Sequence, residues 1–257
     1  MSKVTLSVAY IALNEADNLP RSLQAIQHIA DEIIVVDSGS TDDTVAIAER
    51  YGAKVIHQEW MGYAAQKNVA LAACTQDFML SLDCDEIMTD RLLGILKNVL
   101  QEPSANGYRL HRRTHYLGKR MDFSWQPDCK LRLVRRSARP KWVGEQVHER
   151  LTVPGKVATL DGYLLHYSYR DRQDHLAKTL KYAALAAQAT LDEGKPFQYY
   201  KLLFNPVVAF LRMYVFRFGF LDGYRGWLSA RSSFYYTWLK YQNLRSLKRQ
   251  KNNEVKA

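Results

Sequence analysis

The chain has 257 residues, 47% of them apolar and 12% aromatic, with 36 Lys+Arg against 26 Asp+Glu for a formal net charge of +10. That length and apolar content describe one large globular domain, or one domain with an appendage, and exclude a disordered or fibrous chain. The three cysteines, Cys74, Cys84 and Cys129, form no CxxC pair and cannot all pair with one another, which excludes a disulfide framework and predicts a reducing cytoplasm.

Charge is unevenly placed. Residues 1–100 hold 7 Lys+Arg against 14 Asp+Glu, residues 101–170 hold 14 against 6, and residues 171–257 hold 15 against 6. An acidic front suits a cation site, and a basic remainder suits an anionic partner.

The first hundred residues alternate strand and helix. Val4 to Leu13 reads as a strand that leaves no room for a targeting segment, and Leu19 to Ala30 as a helix. Glu32 to Val36 is a second strand. Ser40 is the predicted N-cap of a helix that runs to Tyr51 and stops at Gly52. Lys54 to His57 is a third strand, Gly62 to Cys74 a helix, Phe78 to Leu82 a fourth strand, and Thr89 caps a helix through Leu100. This order requires crossover connections and predicts an open, mostly parallel sheet.

From Gly107 the pattern changes. Gly107 to Leu117, Lys130 to Arg136, Val147 to Val153 and Val157 to Tyr167 read as short strands joined by basic loops. Asp174 to Glu193, Tyr199 to Phe220 and Tyr224 to Arg249 read as helices. The predicted organisation is a catalytic domain over 1–170, divided at residue 100 into a nucleotide half and an acceptor half, and a helical region over 171–257.

Two acidic clusters end predicted strands: Asp37-Ser38-Gly39-Ser40-Thr41-Asp42 and Asp83-Cys84-Asp85-Glu86. Open parallel sheets bind ligands at the carboxyl ends of their strands, where Glu15, Asp37, Asp83 and Asp85 all fall. Two carboxylates so close can share a hard divalent cation, and that cation can hold a diphosphate. A dinucleotide-binding dehydrogenase would place glycines after the first strand. The chain reads Ala12-Leu13-Asn14-Glu15-Ala16-Asp17-Asn18 there, so no nicotinamide cofactor is expected. A phosphatase forming an aspartyl-phosphate would carry its acid pair after strand one, not strand four.

Asn14-Glu15, the run Val35 to Asp42, Gln66-Lys67-Asn68 and Asp83-Cys84-Asp85, in that order, resemble the inverting family 2 glycosyltransferases of GT-A fold over residues 4–170. The resemblance implies that Asn14, Glu15 and Asp37 serve the uridine, that Lys67 lies near base or phosphates, and that Asp83 sits by ribose and metal. It implies that Asp85 binds Mg²⁺ or Mn²⁺, with His166 as a further ligand. Ser124-Trp125-Gln126-Pro127-Asp128, Arg132-Leu133, Val147-His148-Glu149, Leu165-His166-Tyr167-Ser168-Tyr169 and Gly219-Phe220-Leu221-Asp222-Gly223 resemble its lipopolysaccharide-core β-glucosyltransferase branch. That branch implies a UDP-sugar donor, glucose above all, and a lipid A-core acceptor bearing heptose. Another sugar, a polyprenyl-phosphate acceptor or a catalytically silent scaffold are the alternatives.

Inverting transfer is one in-line displacement, which needs a base on the acceptor hydroxyl. Glu149 is the expected base, Asp128 the runner-up and Glu145 a third candidate. Trp125 suits a sugar face, and His148 orients Glu149 or binds acceptor. Arg109, Arg112, Arg113, Lys119, Arg120, Arg132, Arg135 and Arg136 read either as solvated surface or as partners for acceptor phosphates.

Residues 197–241 hold 16 of the 30 aromatic residues, interleaved with Lys and Arg. Leu202 to Leu221 approaches transmembrane length, but Arg212 and Arg217 would cost about 2.5–3.5 kcal/mol each in hydrocarbon. The prediction is instead an amphipathic hairpin lying on the anionic cytoplasmic face of the inner membrane. A helical core and a homodimer interface compete with it. Nucleic-acid binding is not expected, because no helix-turn-helix, zinc or RNP pattern is present.

Overall fold

The computed structural model describes residues 4–144 and 149–254. The chain forms two compact units, one of Met1–Arg113 with Asp128–His166 and one of Thr114–Pro127 with Tyr167–Ala257.

The first unit begins with β1 (Leu6–Ala12), α1 (Leu19–Ile26), β2 (Glu32–Asp37), α2 (Thr44–Arg50), β3 (Lys54–His57), α3 (Tyr63–Ala73) and β4 (Phe78–Ser81). The chain continues with β5 (Glu86–Met88), α4 (Asp90–Gln101), β6 (Gly107–Tyr116), the two-residue β7 (Lys119–Arg120) and β8 (Cys129–Arg135), of which β7 and the last three residues of β6 belong to the second unit. A 3₁₀ turn, β9 (Lys141–Val143), β10 (Arg150–Thr152) and β11 (Val157–His166) complete the strands.

Among the described residues the main sheet runs β3-β2-β1-β4-β8-β6-β11-β5, with β7 on β6 and a separate β9–β10 pair. The β3, β2, β1 and β4 strands are parallel to one another, while β8 runs antiparallel to both β4 and β6. The chain order dictates this. Helical crossovers between the first four strands enforce parallel pairing, and the later strands follow short loops that reverse direction.

Strand side chains alternate between the two faces of the sheet, and both faces are buried. Ile33 and Val35 pack into one apolar cluster with α1 and α4 residues Leu19, Leu23, Leu92 and Leu96. Ile34 and Val36 pack into the other with α3 residues Ala70 and Leu71 and with Trp142. This is why β2 reads as a continuous apolar run.

Several boundaries differ from the expectation, each for a local reason. Ser40 does not cap α2: the N-cap position is Asp43, and the Ser40 hydroxyl instead donates to Asp37 Oδ1 at 2.5 Å. Thr89 does cap α4, accepting from Leu92 N–H. The predicted Val147–Val153 strand is observed as β10 over Arg150–Thr152, and Val147 and His148 lie outside the described residues. β5 and β9, three residues each, were too short to give a periodic signal.

The second unit holds α5 (Arg172–Asp192), α6 (Tyr199–Leu211) and α7 (Tyr224–Glu254). Asp171 caps α5 by accepting from Asp174 N–H, and Gly194 at φ +69° takes the left-handed conformation just past its end. α6 does not run to Phe220. It ends at Leu211, a π turn covers Arg212–Phe216, and Phe218 adopts φ +55° before a 3₁₀ turn over Gly219–Asp222. Asp222 then accepts three successive backbone N–H groups, from Asp122, Phe123 and Ser124, at 3.0, 3.3 and 2.6 Å. Arg225 donates to the Tyr116 and Leu117 carbonyls. The Gly219–Arg225 stretch is thus the anchor of the segment that carries Trp125. Among the described residues no helix is long and apolar enough to cross a membrane.

Candidate active site

Parallel pairing of β1, β2 and β4 brings Glu15, Asp37, Asp83 and Asp85 to one edge of the sheet. The antiparallel β8 starts at that same edge, and β6 reaches it: Arg112 N–H donates to the Asp128 carbonyl at 2.8 Å.

Asp37 is 1% exposed. Its carboxylate accepts from Gly39 N–H (2.9 Å), Ser40 N–H (3.0 Å) and the Ser40 hydroxyl, with His57 Nδ1 at 3.5 Å. Burial pushes its pKa up, but these hydrogen bonds outweigh burial and hold it below the usual carboxylate range. Asn14, at φ +56°, ties this loop to the β1 loop. Its N–H donates to Ser40 Oγ at 2.9 Å, and its Oδ1 accepts from Thr41 N–H at 2.8 Å. Asparagine tolerates that left-handed backbone. Glu15 N–H donates to Thr44 Oγ1, and its carboxylate accepts from Asn18 Nδ2.

Asp83 sits among cations. Lys67 Nζ, from α3, is 2.9 Å from its Oδ1, and Arg132 Nη2, from β8, is 2.5 Å from its Oδ2. Desolvation opposes ionisation, yet Arg132 and then Lys67 hold the Asp83 carboxyl far below its usual range. Glu86 lies beneath it, fully buried. Its Oε1 meets Arg132 Nη2 at 2.5 Å and Arg112 Nη1 at 2.9 Å, and its Oε2 accepts from Asp83 N–H. For Arg112 and Arg132, burial favours the neutral form, but facing carboxylates more than offset it and raise both values. These two arginines are therefore neither solvated surface nor open acceptor contacts.

Asp85 points elsewhere. Its Oδ2 is 3.4 Å from His166 Nε2, at the end of β11, whose register places His166 opposite Glu86 of β5. Desolvation raises the Asp85 pKa, and the His166 charge and hydrogen bond bring it below normal. Cys84 between the aspartates is buried, donates to the Ile11 carbonyl, and has its thiol pKa pushed well up by burial.

Of the two base candidates among the described residues, Glu149 Oε1 lies 3.2 Å from Lys67 Nζ, whereas Asp128 is gripped by Arg112 at 2.7 Å with Lys130 at 3.8 Å. Lys67 is 5% exposed and also lies 4.5 Å over the Trp142 ring. Asn68 and Trp142 exchange two 2.9 Å hydrogen bonds that fix β9 against α3. His148 and Glu145 lie outside the described residues. Trp125 belongs to the second unit, where at φ +59° it packs against Tyr116, Tyr169 and His175.

Among the described residues no three His, Cys, Asp or Glu side chains gather into a metal cage. Asp85 and His166 nevertheless fit a divalent ion. A carboxylate oxygen and an imidazole nitrogen suit Mn²⁺, and Mg²⁺ keeps few protein ligands when phosphates and water supply the rest. Glu86, Arg112 and Arg132 carry the site's charge pairing. Both arginines stand among the basic residues expected at the surface or on acceptor phosphates, and Glu86 ends the acidic run, but their pairing with one another was not expected. Trp142, whose ring lies 4.5 Å from Lys67 Nζ, was not singled out.

The profile for Glycosyl transferase family 2 matches residues 7–150. A lipopolysaccharide core biosynthesis glycosyltransferase, LpsC of Rhizobium meliloti, is 32% identical over 250 residues, covering 92% of this chain and 90% of its own. The chain belongs to glycosyltransferase family 2. An uncharacterized glycosyltransferase of Rickettsia felis is 28% identical over 96% of this chain and 92% of its own length. Among solved structures, S. aureus TarS in complex with UDP-GlcNAc superposes with a TM-score of 0.51 at 14% identity, covering 98% of this chain and 92% of that one. Glucosyl-3-phosphoglycerate synthase from Mycobacterium tuberculosis, in complex with Mn²⁺, UDP and phosphoglyceric acid, gives 0.50 at 21% identity over 75% and 80%. These likenesses fix the fold as GT-A, with a helical C-terminal region, and this family 2 member is a transferase and not a silent scaffold.

Proposed function

We propose that this glycosyltransferase moves glucose from UDP-glucose onto the inner-core heptose of a lipid-anchored lipopolysaccharide oligosaccharide, with inversion at the anomeric carbon. The observation that carries the reading is the pairing of Asp85 with His166 at the ligand-binding edge of the sheet, beside a cation-held Asp83. The relative named for lipopolysaccharide core biosynthesis supports the acceptor class. The UDP, UDP-GlcNAc and Mn²⁺ of the structural neighbours support a uridine diphosphate donor and a divalent ion.

In this reading Asn14, Glu15 and Asp37 form the uridine rim and Asp83 accepts from the ribose. Lys67 presents its ammonium to the phosphates. Asp85 and His166 would hold a divalent ion, which would supply neutralisation of the diphosphate's charge. Glu149 removes the proton from the acceptor hydroxyl as that oxygen attacks. Trp125 offers a ring face to an acceptor sugar, and His148 orients Glu149. The enzyme works as a peripheral protein at the cytoplasmic face of the inner membrane.

The test is UDP release from a panel of UDP-, GDP- and ADP-sugars with Mn²⁺, with and without a heptose-terminated acceptor. Release confined to UDP-glucose and stimulated by acceptor is expected, with Asp85→Ala abolishing it. Preference for another donor overturns the glucose assignment, and full activity in EDTA overturns the metal assignment.

A further inference from the structure

α6 packs only one side. Leu202 and Pro206 are buried, while Leu203 and Phe204 are 66% and 64% exposed and Val207, Val208 and Leu211 are exposed as well. At about 100° per residue, these five outward chains span roughly 140° of the helix surface, opposite the buried pair. The face does not end with the helix. The π turn presents Phe216, 74% exposed, and the following segment presents Phe218.

Single exposed apolar residues are ordinary on a protein surface. A continuous stripe of this length on one helix and its following turn is not, and such stripes mark interaction sites. Cations border it: by the same helical spacing Lys201 and Arg212 fall along the edge next to Val208.

We infer that this face inserts into the headgroup region of an anionic bilayer, with Leu203, Phe204 and Phe216 as the deepest side chains and Lys201 and Arg212 on lipid phosphates. The inference deepens the membrane placement proposed above by naming the surface that makes it. Charge selects the bilayer over a second copy of the chain. Residues 171–257 carry 15 Lys+Arg against 6 Asp+Glu, so a two-fold dimer through this face would set two strongly positive surfaces against each other. Anionic lipid reverses that penalty, and each cation near the surface then favours binding. Nucleic acid would satisfy the cations but leave the apolar stripe in water.

The geometry also assigns the insertion to one element. In α7 Tyr224, at the first position, is 54% exposed but stacks on Trp227 with Arg172 over its ring. Trp227, Tyr235 and Trp238 are only about two-fifths exposed, and Arg231 lies over the first two of these at 5.4 and 5.3 Å. α7 therefore supports α6 from behind, as the Asn205 Nδ2 to Tyr241 hydroxyl hydrogen bond at 2.8 Å also indicates.

The test is co-sedimentation of the full chain with vesicles of phosphatidylethanolamine and phosphatidylglycerol, against vesicles of phosphatidylcholine alone. The wild type should pellet with the anionic vesicles. The triple substitution Leu203→Ser, Phe204→Ser and Phe216→Ser should cut partitioning by roughly tenfold or more while leaving the circular dichroism spectrum unchanged. Lys201→Glu with Arg212→Glu should weaken binding to anionic vesicles, and added salt should narrow the gap from wild type. Wild-type protein that stays in the supernatant, or a triple variant that pellets normally, overturns the inference. So does a wild-type dimer that the triple substitution dissociates without any vesicle binding. Equal binding to phosphatidylcholine overturns the headgroup assignment. Because vesicle binding needs neither donor nor acceptor, this result and the fate of the transfer reading are read separately.

Discussion

Glu149 lies 3.2 Å from the Lys67 ammonium, and Asp128 lies 2.7 Å from the Arg112 guanidinium. The two contacts differ in what a substrate can do to them. A lysine shared between Asp83 and Glu149 can turn to an incoming diphosphate, whereas Arg112 reaches Asp128 through two nitrogens and anchors on the buried Glu86. Glu149→Gln should therefore keep donor affinity and lower kcat by about 10²–10⁴-fold, as loss of a general base does. Asp128→Asn should act more weakly on kcat. Steady-state kinetics with a matched donor titration checks both, and the reverse ranking would move the base to Asp128. A second residue-scale prediction concerns His175, buried between the Tyr116 hydroxyl and Ser232, both at 2.8 Å. Burial pushes its imidazole down from 6.5 to about 4. The unfolded chain takes up this proton near pH 6.5 and the folded chain only near pH 4. Stability from the neutral imidazole is thus complete above pH 6.5 and is lost as pH falls toward 4. Thermal unfolding followed from pH 7 to pH 4.5 should show the midpoint falling, and His175→Gln should flatten that slope.

At the scale of elements, three-residue β5 has consequences larger than its length. It holds Glu86 under Asp83 and pairs with β11 so that His166 meets Asp85. Arg132 on β8 joins the two carboxylates from the other side. Arg132→Leu would leave buried Asp83 and Glu86 facing each other with Arg112 alone shared between them, 3.8 Å from Asp83 and 2.9 Å from Glu86. It should cost roughly 3–5 kcal/mol in denaturant unfolding, the range for breaking a buried pair. A cost under 1 kcal/mol would mean Arg112 alone suffices. The Gly219–Gly226 turn is as demanding. A Cβ on Gly226 would lie 1.7 Å from the Gly219 carbonyl oxygen, so Gly226→Ala must displace backbone and should cost about 3 kcal/mol or more. Soluble yield and unfolding midpoint report it.

The same elements show what was legible in the sequence. The four parallel strands and their helices could be read because each carries its own periodic or apolar signal, and Asp37, Asp83 and Asp85 sit where those signals end. The cation cradle could not. Arg112, Arg132 and Trp142 reach the site only through antiparallel pairings of β6, β8 and β9, and nothing local in a basic strand tells an ion-paired arginine from a solvated one. The end of α6 was misread for a related reason. Apolar residues continue to Phe220, while the π turn and the left-handed Phe218 that stop the helix come from packing of the Gly219–Asp222 turn.

Across the whole molecule, charge and chemistry are divided along the chain. The acidic first hundred residues carry Asp37, Asp83, Asp85 and Glu86, and the basic remainder adds Arg112 and Arg132 to Lys67 in holding Asp83 and Glu86. This division fits an enzyme that draws a nucleotide sugar from water and delivers it to an acceptor anchored in a membrane. The most direct test is to incubate the protein with UDP-[¹³C]glucose, Mn²⁺ and a heptose-terminated lipopolysaccharide core, and to determine the new linkage by NMR. The account predicts a single glucose on heptose in the β configuration, the outcome of one displacement on an α-linked donor. An α-linked product would contradict the Glu149 displacement, and an unmodified core would contradict the proposed acceptor.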